Sequence, residues 1–76
     1  LHIDEGAARA ITQNGKSLLA AGISRAEGEF QTGDVVQVCD PDGRTIAQGL
    51  IDVDAEKLSA YHGNAPVVHR DNLVLL

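Results

Sequence analysis

Gly15, Lys16 and Ser17 are the residues that first suggest chemistry, because GKS ends the phosphate-binding loop of many nucleotide-binding proteins. That loop also requires a glycine five residues before its GK, where this chain has Ala10. In addition, such a loop runs from a strand into a helix, so that free helix amides face the phosphate. Here the predicted order is reversed, and the helix would present its negative end. We therefore interpret Gly15 as the stop of a helix.

Acidic residues, histidines and the single cysteine offer further patterns that could carry chemistry. Asp52, Asp54 and Glu56 alternate as in a metal-binding loop, but they lack the glycine and the distal glutamate of a calcium hand. We favour a strand that ends before a helix capped by Asp54. The three histidines have no zinc spacing, and Cys39 is predicted to be a small apolar strand residue. We therefore expect no metal site.

His69, Arg70 and Asp71 form the sequence HRD, which also occurs in the catalytic loop of protein kinases. In that loop a metal-binding asparagine follows the aspartate by five residues, but the corresponding position here is Leu76. We expect Asp71 and Asn72 to turn the chain and Arg70 to pair with a carboxylate. Since no catalytic triad or cofactor loop emerges either, the sequence predicts a non-catalytic domain.

The elements that would position these residues are short. LHID alternates apolar and polar residues, which predicts a strand, and Asp4 is suited to cap the helix EGAARAITQN that ends at Gly15. A strand is predicted around Ser17 to Leu19. A turn at Gly22 and irregular chain through Gly28 follow it.

The second half of the chain predicts a hairpin and a closing region. VVQVC and TIAQGLI are strand-like segments joined by the turn sequence DPDG, and Phe30 is an apolar anchor before them. A short helix, AEKLSAY, precedes VVHRDNLVLL, which predicts one or two strands. The sequence therefore predicts a mainly β barrel or sandwich of five or six strands with two short helices.

Size and composition restrict the function further. The 76 residues suffice for one domain, and six basic residues against eleven acidic ones give a net charge of −5, which argues against general nucleic-acid binding. Phe30 and Tyr61 are the only aromatic residues, so a base-stacking surface is not expected. The apolar runs are too short to cross a bilayer, and one cysteine suits a reducing compartment. We expect a cytoplasmic location, no membrane partner, and a domain cut from a longer chain.

The order of these pieces resembles the C-terminal PUA domain of bacterial glutamate 5-kinases, from Asp4 to Leu76. The most specific parts are GKSLLAAGI, EGEFQTGDVVQV and HRDNLVL. The resemblance implies a single PUA domain over residues 1–76, folded as a pseudobarrel of mixed strands. It also implies a parent enzyme that transfers the γ-phosphate of ATP to glutamate in the first step of proline synthesis. ATP and magnesium would bind to an amino-acid kinase domain N-terminal to this chain, and no cofactor would bind here.

Two functions are compatible with this resemblance. The first is a regulatory and assembly module that packs on its own kinase domain or on a neighbouring subunit of a homo-oligomer. The second is weak RNA binding by the first helix and the following glycine loop, which in this chain would use Arg9, Gly15, Lys16, Ser17 and Arg70. We favour the first because the net charge is negative.

Overall fold

The chain folds into short strands and helical segments, and the computed structural model describes residues 1–76. The seven strands are β1 (His2–Ile3), β2 (Leu18–Leu19), β3 (Ile23–Arg25), β4 (Val35–Cys39), β5 (Thr45–Leu50), β6 (Pro66–Val68) and β7 (Leu73–Leu75). The helical segments are the α-helix α1 (Glu5–Asn14) and three 3-10 segments, Ala20–Gly22, Ala55–Ala60 and Arg70–Asn72. The predicted mainly β class is therefore confirmed.

Five strands form one mixed sheet in the order β3-β1-β4-β5-β7, and β2 pairs with β6 in a second sheet. β1 and β4 run parallel, whereas the other pairs are antiparallel. The predicted hairpin between β4 and β5 is confirmed. In its turn, Asp40 Oδ1 accepts hydrogen bonds from the amides of Asp42 and Arg44, both at 2.9 Å.

One hydrophobic core receives side chains from both sheets, from α1 and from the loops. Its ten buried residues are Ile3, Ile11, Leu18, Phe30, Val38, Ala47, Ile51, Val53, Val67 and Val68. Phe30, which the sequence predicts as an apolar anchor, is among them. Each buried aliphatic or aromatic side chain of this size contributes about 1.5–3 kcal/mol, so a small number of residues holds the domain together.

The N-terminus of α1 is capped as the sequence predicts. Asp4 has an extended backbone, and its Oδ1 accepts a hydrogen bond of 2.7 Å from the amide of Ala7. The buried Ile11 anchors the helix in the core. The cap and this anchor fix where α1 begins and which face it turns inward.

β5 contains a glycine at the point where the end of the chain packs against it. A Cβ atom added to Gly49 would lie 2.5 Å from the carbonyl oxygen of Asn72 and 2.7 Å from Cγ1 of Val68. Both distances are shorter than real contacts of a Cβ atom, and the first involves backbone. The absent side chain therefore allows β6, β7 and the segment between them to lie close to β5.

The prediction of irregular chain from Gly22 to Gly28 is wrong for the residues that form β3. This strand pairs with β1, which places Arg25 opposite His2. The hydroxyl of Ser24 also donates a hydrogen bond to the carbonyl of His2, at 3.1 Å. Three residues are too few for a two-residue period to be visible, and the pairing depends on a segment that is distant in sequence.

The predicted helix AEKLSAY is a 3-10 segment, and the prediction that Asp54 caps it is wrong. Asp54 Oδ1 instead accepts hydrogen bonds from the amide and the hydroxyl of Thr32, at 2.8 and 3.1 Å. The amide of Thr32, its hydroxyl and, to a smaller extent, Lys57 hold the pKa of Asp54 below its ordinary value. This carboxylate therefore links the loop before β4 to the segment between β5 and the 3-10 segment Ala55–Ala60.

The close contact at Gly49 predicts a strong effect of one added methyl group. Gly49→Ala should lower the free energy of unfolding by about 2 kcal/mol, because the backbone at Asn72 must shift. The matched control is Gly63→Ala, whose Cβ would meet its nearest atom at an ordinary 3.5 Å. Urea unfolding followed by circular dichroism measures both, and equal midpoints for the two variants would contradict this role of Gly49.

The lowered pKa of Asp54 predicts a pH-dependent contribution to stability. Because folding lowers this pKa, the charged group stabilises the fold above the unfolded-state value of about 3.9. That stability is lost as pH falls through the lower pKa of the folded state. Asp54→Asn should therefore be less stable than the original chain at about pH 7, and this difference should disappear in acid.

Urea unfolding at a series of pH values tests the prediction for Asp54. The control is Glu56→Gln. Glu56 lies in the 3-10 segment that follows Asp54, and its exposed carboxylate forms no ion pair. The difference in free energy between Asp54→Asn and the original chain should shrink below about pH 4. A difference that stays constant through the acid range would exclude the charge as its source.

Candidate functional site

An open groove of about 760 Å³ runs along α1, between this helix and the segment that follows β6. Asp4 lies at the end of the groove where α1 begins. At the other end, where α1 stops, polar and basic residues come together: Asn14, Lys16, Ser17, His69 and Arg70. We call this second part the basic end of the groove.

The predicted helix stop at Gly15 is confirmed and explains how Lys16 reaches the groove. Gly15 has a left-handed backbone with φ 60°, a conformation that glycine adopts without steric cost. The backbone amides of Gly15 and Lys16 both donate hydrogen bonds to the carbonyl of Ala10, and the bond from Lys16 measures 3.1 Å. These bonds satisfy the end of α1 and turn the chain towards β2.

Ser17 joins the two parts of the chain that form the basic end. Its Oγ accepts a hydrogen bond of 2.9 Å from the backbone amide of Arg70, which is 53 residues away. Next to this bond, Nδ1 of His69 accepts from the amide of Asp71 at 3.3 Å and caps the 3-10 segment. The turn predicted at Asp71 is therefore confirmed, and both Ser17 and His69 are held in place by backbone groups.

Lys16 and Arg70 are basic residues that have no carboxylate partner. The ion pairs of the structure engage three of the six lysine and arginine side chains, Arg9, Arg25 and Lys57. The prediction that Arg70 pairs with a carboxylate is wrong, because its side chain is exposed and only its backbone amide is bound. Two of the three free cations therefore lie at the basic end of the groove.

Arg9 lies outside this groove. It forms an ion pair of 3.0 Å with Glu5, one helical turn away, and lines a separate depression with Asp40 and Asp42. A continuous helix would bring positions 9 and 16 to nearly the same face. Gly15 ends the helix before that point, so the structure groups Lys16 with Ser17 and Arg70 but not with Arg9.

His69 and Asn14 also line the basic end, although the sequence analysis assigns neither to a site. His69 precedes Arg70 directly, which is the one local signal that could have included it. Asn14 offers no such signal, because its position in the groove depends on the packing of the helix end.

The other sequence patterns do not converge on a reactive centre. No three histidine, cysteine, aspartate or glutamate side chains are grouped so that they could hold a metal ion. Asp54 is engaged by Thr32, which separates its role from that of Asp52. None of the helices has the length and apolar character needed to cross a membrane.

Comparison with known proteins agrees with this architecture. The family model described as PUA domain matches residues 1–70. The chain therefore belongs to the PUA domain family. Among solved structures, it is similar to a PUA domain from Aeropyrum pernix in complex with tartrate, with a TM-score of 0.81 and 29% identity over 91% of this chain and 39% of that one. It also resembles NSun6 from Pyrococcus horikoshii, with a TM-score of 0.76 and 27% identity over 88% of this chain and 17% of that one.

The more similar relatives in sequence are glutamate 5-kinases. The enzyme from Thermosynechococcus vestitus is 48% identical over an alignment of 89 positions. This alignment covers 99% of this chain and 24% of that protein. The enzyme from Nostoc punctiforme is 47% identical over 100% of this chain and 24% of its own length. The chain thus spans about a quarter of the length of the curated relatives it matches, and it is homologous to their PUA region.

Proposed function

We propose that this chain is a non-catalytic module of a glutamate 5-kinase and that it helps to assemble or regulate the enzyme. The observation that carries this proposal is the identity of 40 to 48% to glutamate 5-kinases over essentially the whole chain. Those relatives are about four times longer than the matched region, which supports a separate domain for the chemistry. The parent would be a cytoplasmic homo-oligomer.

In this proposal the phosphoryl transfer takes place outside the residues described here. The parent would use ATP and magnesium in an amino-acid kinase domain N-terminal to this chain, and would form glutamate 5-phosphate for proline synthesis. The GKS sequence at the end of α1 does not fit an ATP phosphate, because the helix ends there and its carbonyl groups would point towards the phosphate. The role of the present chain is then to contact protein surfaces of the enzyme.

A domain exchange in the Thermosynechococcus vestitus enzyme tests this role. Deleting its PUA region should change the kinetic constants, the inhibition by proline or the number of subunits, because the proposed contacts are lost. Inserting the present chain at that place should restore them. The matched control inserts the Aeropyrum pernix PUA domain, which shares the fold but only 29% of the residues with this chain.

Steady-state kinetics and sedimentation of these chimeras give the result. The proposal fails if deletion leaves the kinetic constants, proline inhibition and subunit number unchanged. It also fails if the archaeal PUA domain restores them as completely as the present chain does, because the fold alone would then suffice.

RNA binding is a second candidate, and the two free cations at the basic end favour it. PUA domains generally bind RNA, and Lys16 and Arg70 could each contact a phosphate without breaking an ion pair. Ser17 would hold the backbone of Arg70 beside them. The net charge of −5 and the carbonyl end of α1 oppose this attraction. Binding would therefore be weak, with a Kd of about 1 µM to 0.1 mM.

A series of variants that each remove one positive charge distinguishes an RNA-binding site at the basic end of the groove from general electrostatic attraction. Lys16→Ala and Arg70→Ala should each weaken the binding of structured RNA and reduce the slope of log K against log salt by about one unit. Arg44→Ala is the matched control, since Arg44 is also an exposed cation without an ion pair but lies at the hairpin turn. Fluorescence anisotropy at several salt concentrations measures these changes.

Equal losses in the three variants would show that RNA recognises charge alone and not the groove. Arg9→Ala provides a further comparison, because Arg9 lies outside the groove and is already paired with Glu5. If Arg9→Ala weakened binding as much as Lys16→Ala, the RNA surface would extend around α1, and the groove would not define it.

A further inference from the structure

Asn14 and Gly15 form the one asparagine–glycine pair of the chain, and they lie where α1 stops. Both residues are exposed, and Asn14 lines the basic end of the groove together with Lys16 and Arg70. The side-chain amide of an asparagine is open to attack by the backbone nitrogen of the next residue. Glycine has no Cβ atom to hinder this attack. The pair therefore brings a reactive amide to the edge of the cationic site.

The last turn of α1 contributes little to the packing of the helix. Ile11 is the one buried residue of α1, and the residues that follow it, 12–14, are exposed. No basic side chain in this turn compensates the negative end of the helix. Helix ends of this kind open locally at a small cost in free energy. The amide of Gly15 therefore leaves the carbonyl of Ala10 repeatedly while the domain stays folded.

We infer that Asn14 is a site of spontaneous deamidation. When the last turn opens, rotation about the bond between Cα and the carbonyl carbon of Asn14 brings the nitrogen of Gly15 to the side-chain carbon Cγ. This nitrogen loses its proton to hydroxide and forms a bond to Cγ. The bond from Cγ to the side-chain nitrogen breaks, and ammonia leaves with a proton from water. Water then opens the cyclic imide at either of its carbonyl groups, which gives aspartate or isoaspartate.

Either product places a carboxylate among the cations of the basic end. Lys16 and Arg70 line the same groove, and neither has a carboxylate partner in the unmodified chain. Isoaspartate also adds one carbon atom to the main chain before Gly15, which displaces the two amides that bond to Ala10. The modification therefore lowers the attraction of the groove for anions. This effect on binding rests on the proposed RNA function, whereas the modification itself does not.

The chain contains its own controls for this reaction. Asn64 and Asn72 are also exposed. The residues after them are Ala65 and Leu73, whose side chains hinder the attack. Peptide mapping by mass spectrometry, after incubation of the chain at mildly alkaline pH, measures the modification of all three asparagines. It should accumulate at Asn14 about tenfold faster or more than at the other two, as a pair of aspartate and isoaspartate peptides. Equal rates at the three positions would overturn the inference.

Asn14→Gln distinguishes this reaction from other changes during incubation. The longer side chain keeps the amide but would have to close a larger, less favourable ring. Fluorescence anisotropy compares the binding of structured RNA by fresh and incubated samples of the original chain and of this variant. Once the peptide map shows nearly complete conversion, the original chain should bind RNA about threefold more weakly or less, whereas Asn14→Gln should keep its own fresh value. Fresh Asn14→Asp should bind RNA as weakly as the incubated original chain.

The outcomes separate this inference from the proposed functions. An equal loss of RNA binding by incubated Asn14→Gln would overturn the effect of the new charge on the groove. A fresh chain that does not bind structured RNA would exclude the RNA function and, with it, this effect on binding. In that case the peptide map would still decide whether Asn14 is the site of modification, and the domain exchange would still decide the assembly role.

Discussion

The close contact between Gly49 and the chain after β6 is the constraint on which the basic end of the groove depends. Val68 and Asn72 occupy the space that a side chain at position 49 would need. Because glycine leaves this space to them, the segment from β6 to β7 closes the barrel against β5. The same segment carries Arg70 to the basic end of the groove. The contact at Gly49 therefore helps to position this cationic site.

The positive charge of the domain is distributed unevenly. Three of the six basic side chains are neutralised locally, and two of the remaining three lie together at the end of α1. A small acidic protein can thus concentrate unpaired positive charge at one site.

Local signals in the sequence were sufficient where a few adjacent residues determine the geometry. Asp4 as a cap, Gly15 as a helix stop and the turn that begins at Asp40 are examples, because each is fixed by hydrogen bonds within a few residues. Similarity to a known family supplied the overall topology. The position of β3 and the bonds of Asp54 were missed, because their partners, β1 and Thr32, are about 22 residues away.

The hydrogen bond between Ser17 and Arg70 spans 53 residues, and this separation has a consequence for how the domain forms. The β4–β5 hairpin needs only a short loop, whereas closure between Ser17 and Arg70 must order most of the chain and costs more conformational entropy. Contacts between residues so far apart in sequence tend to form slowly. The basic end exists only once the beginning and the end of the chain have met. A ligand bound there would hold the beginning and the end of the chain together, and its binding free energy would add to the stability of the closed barrel.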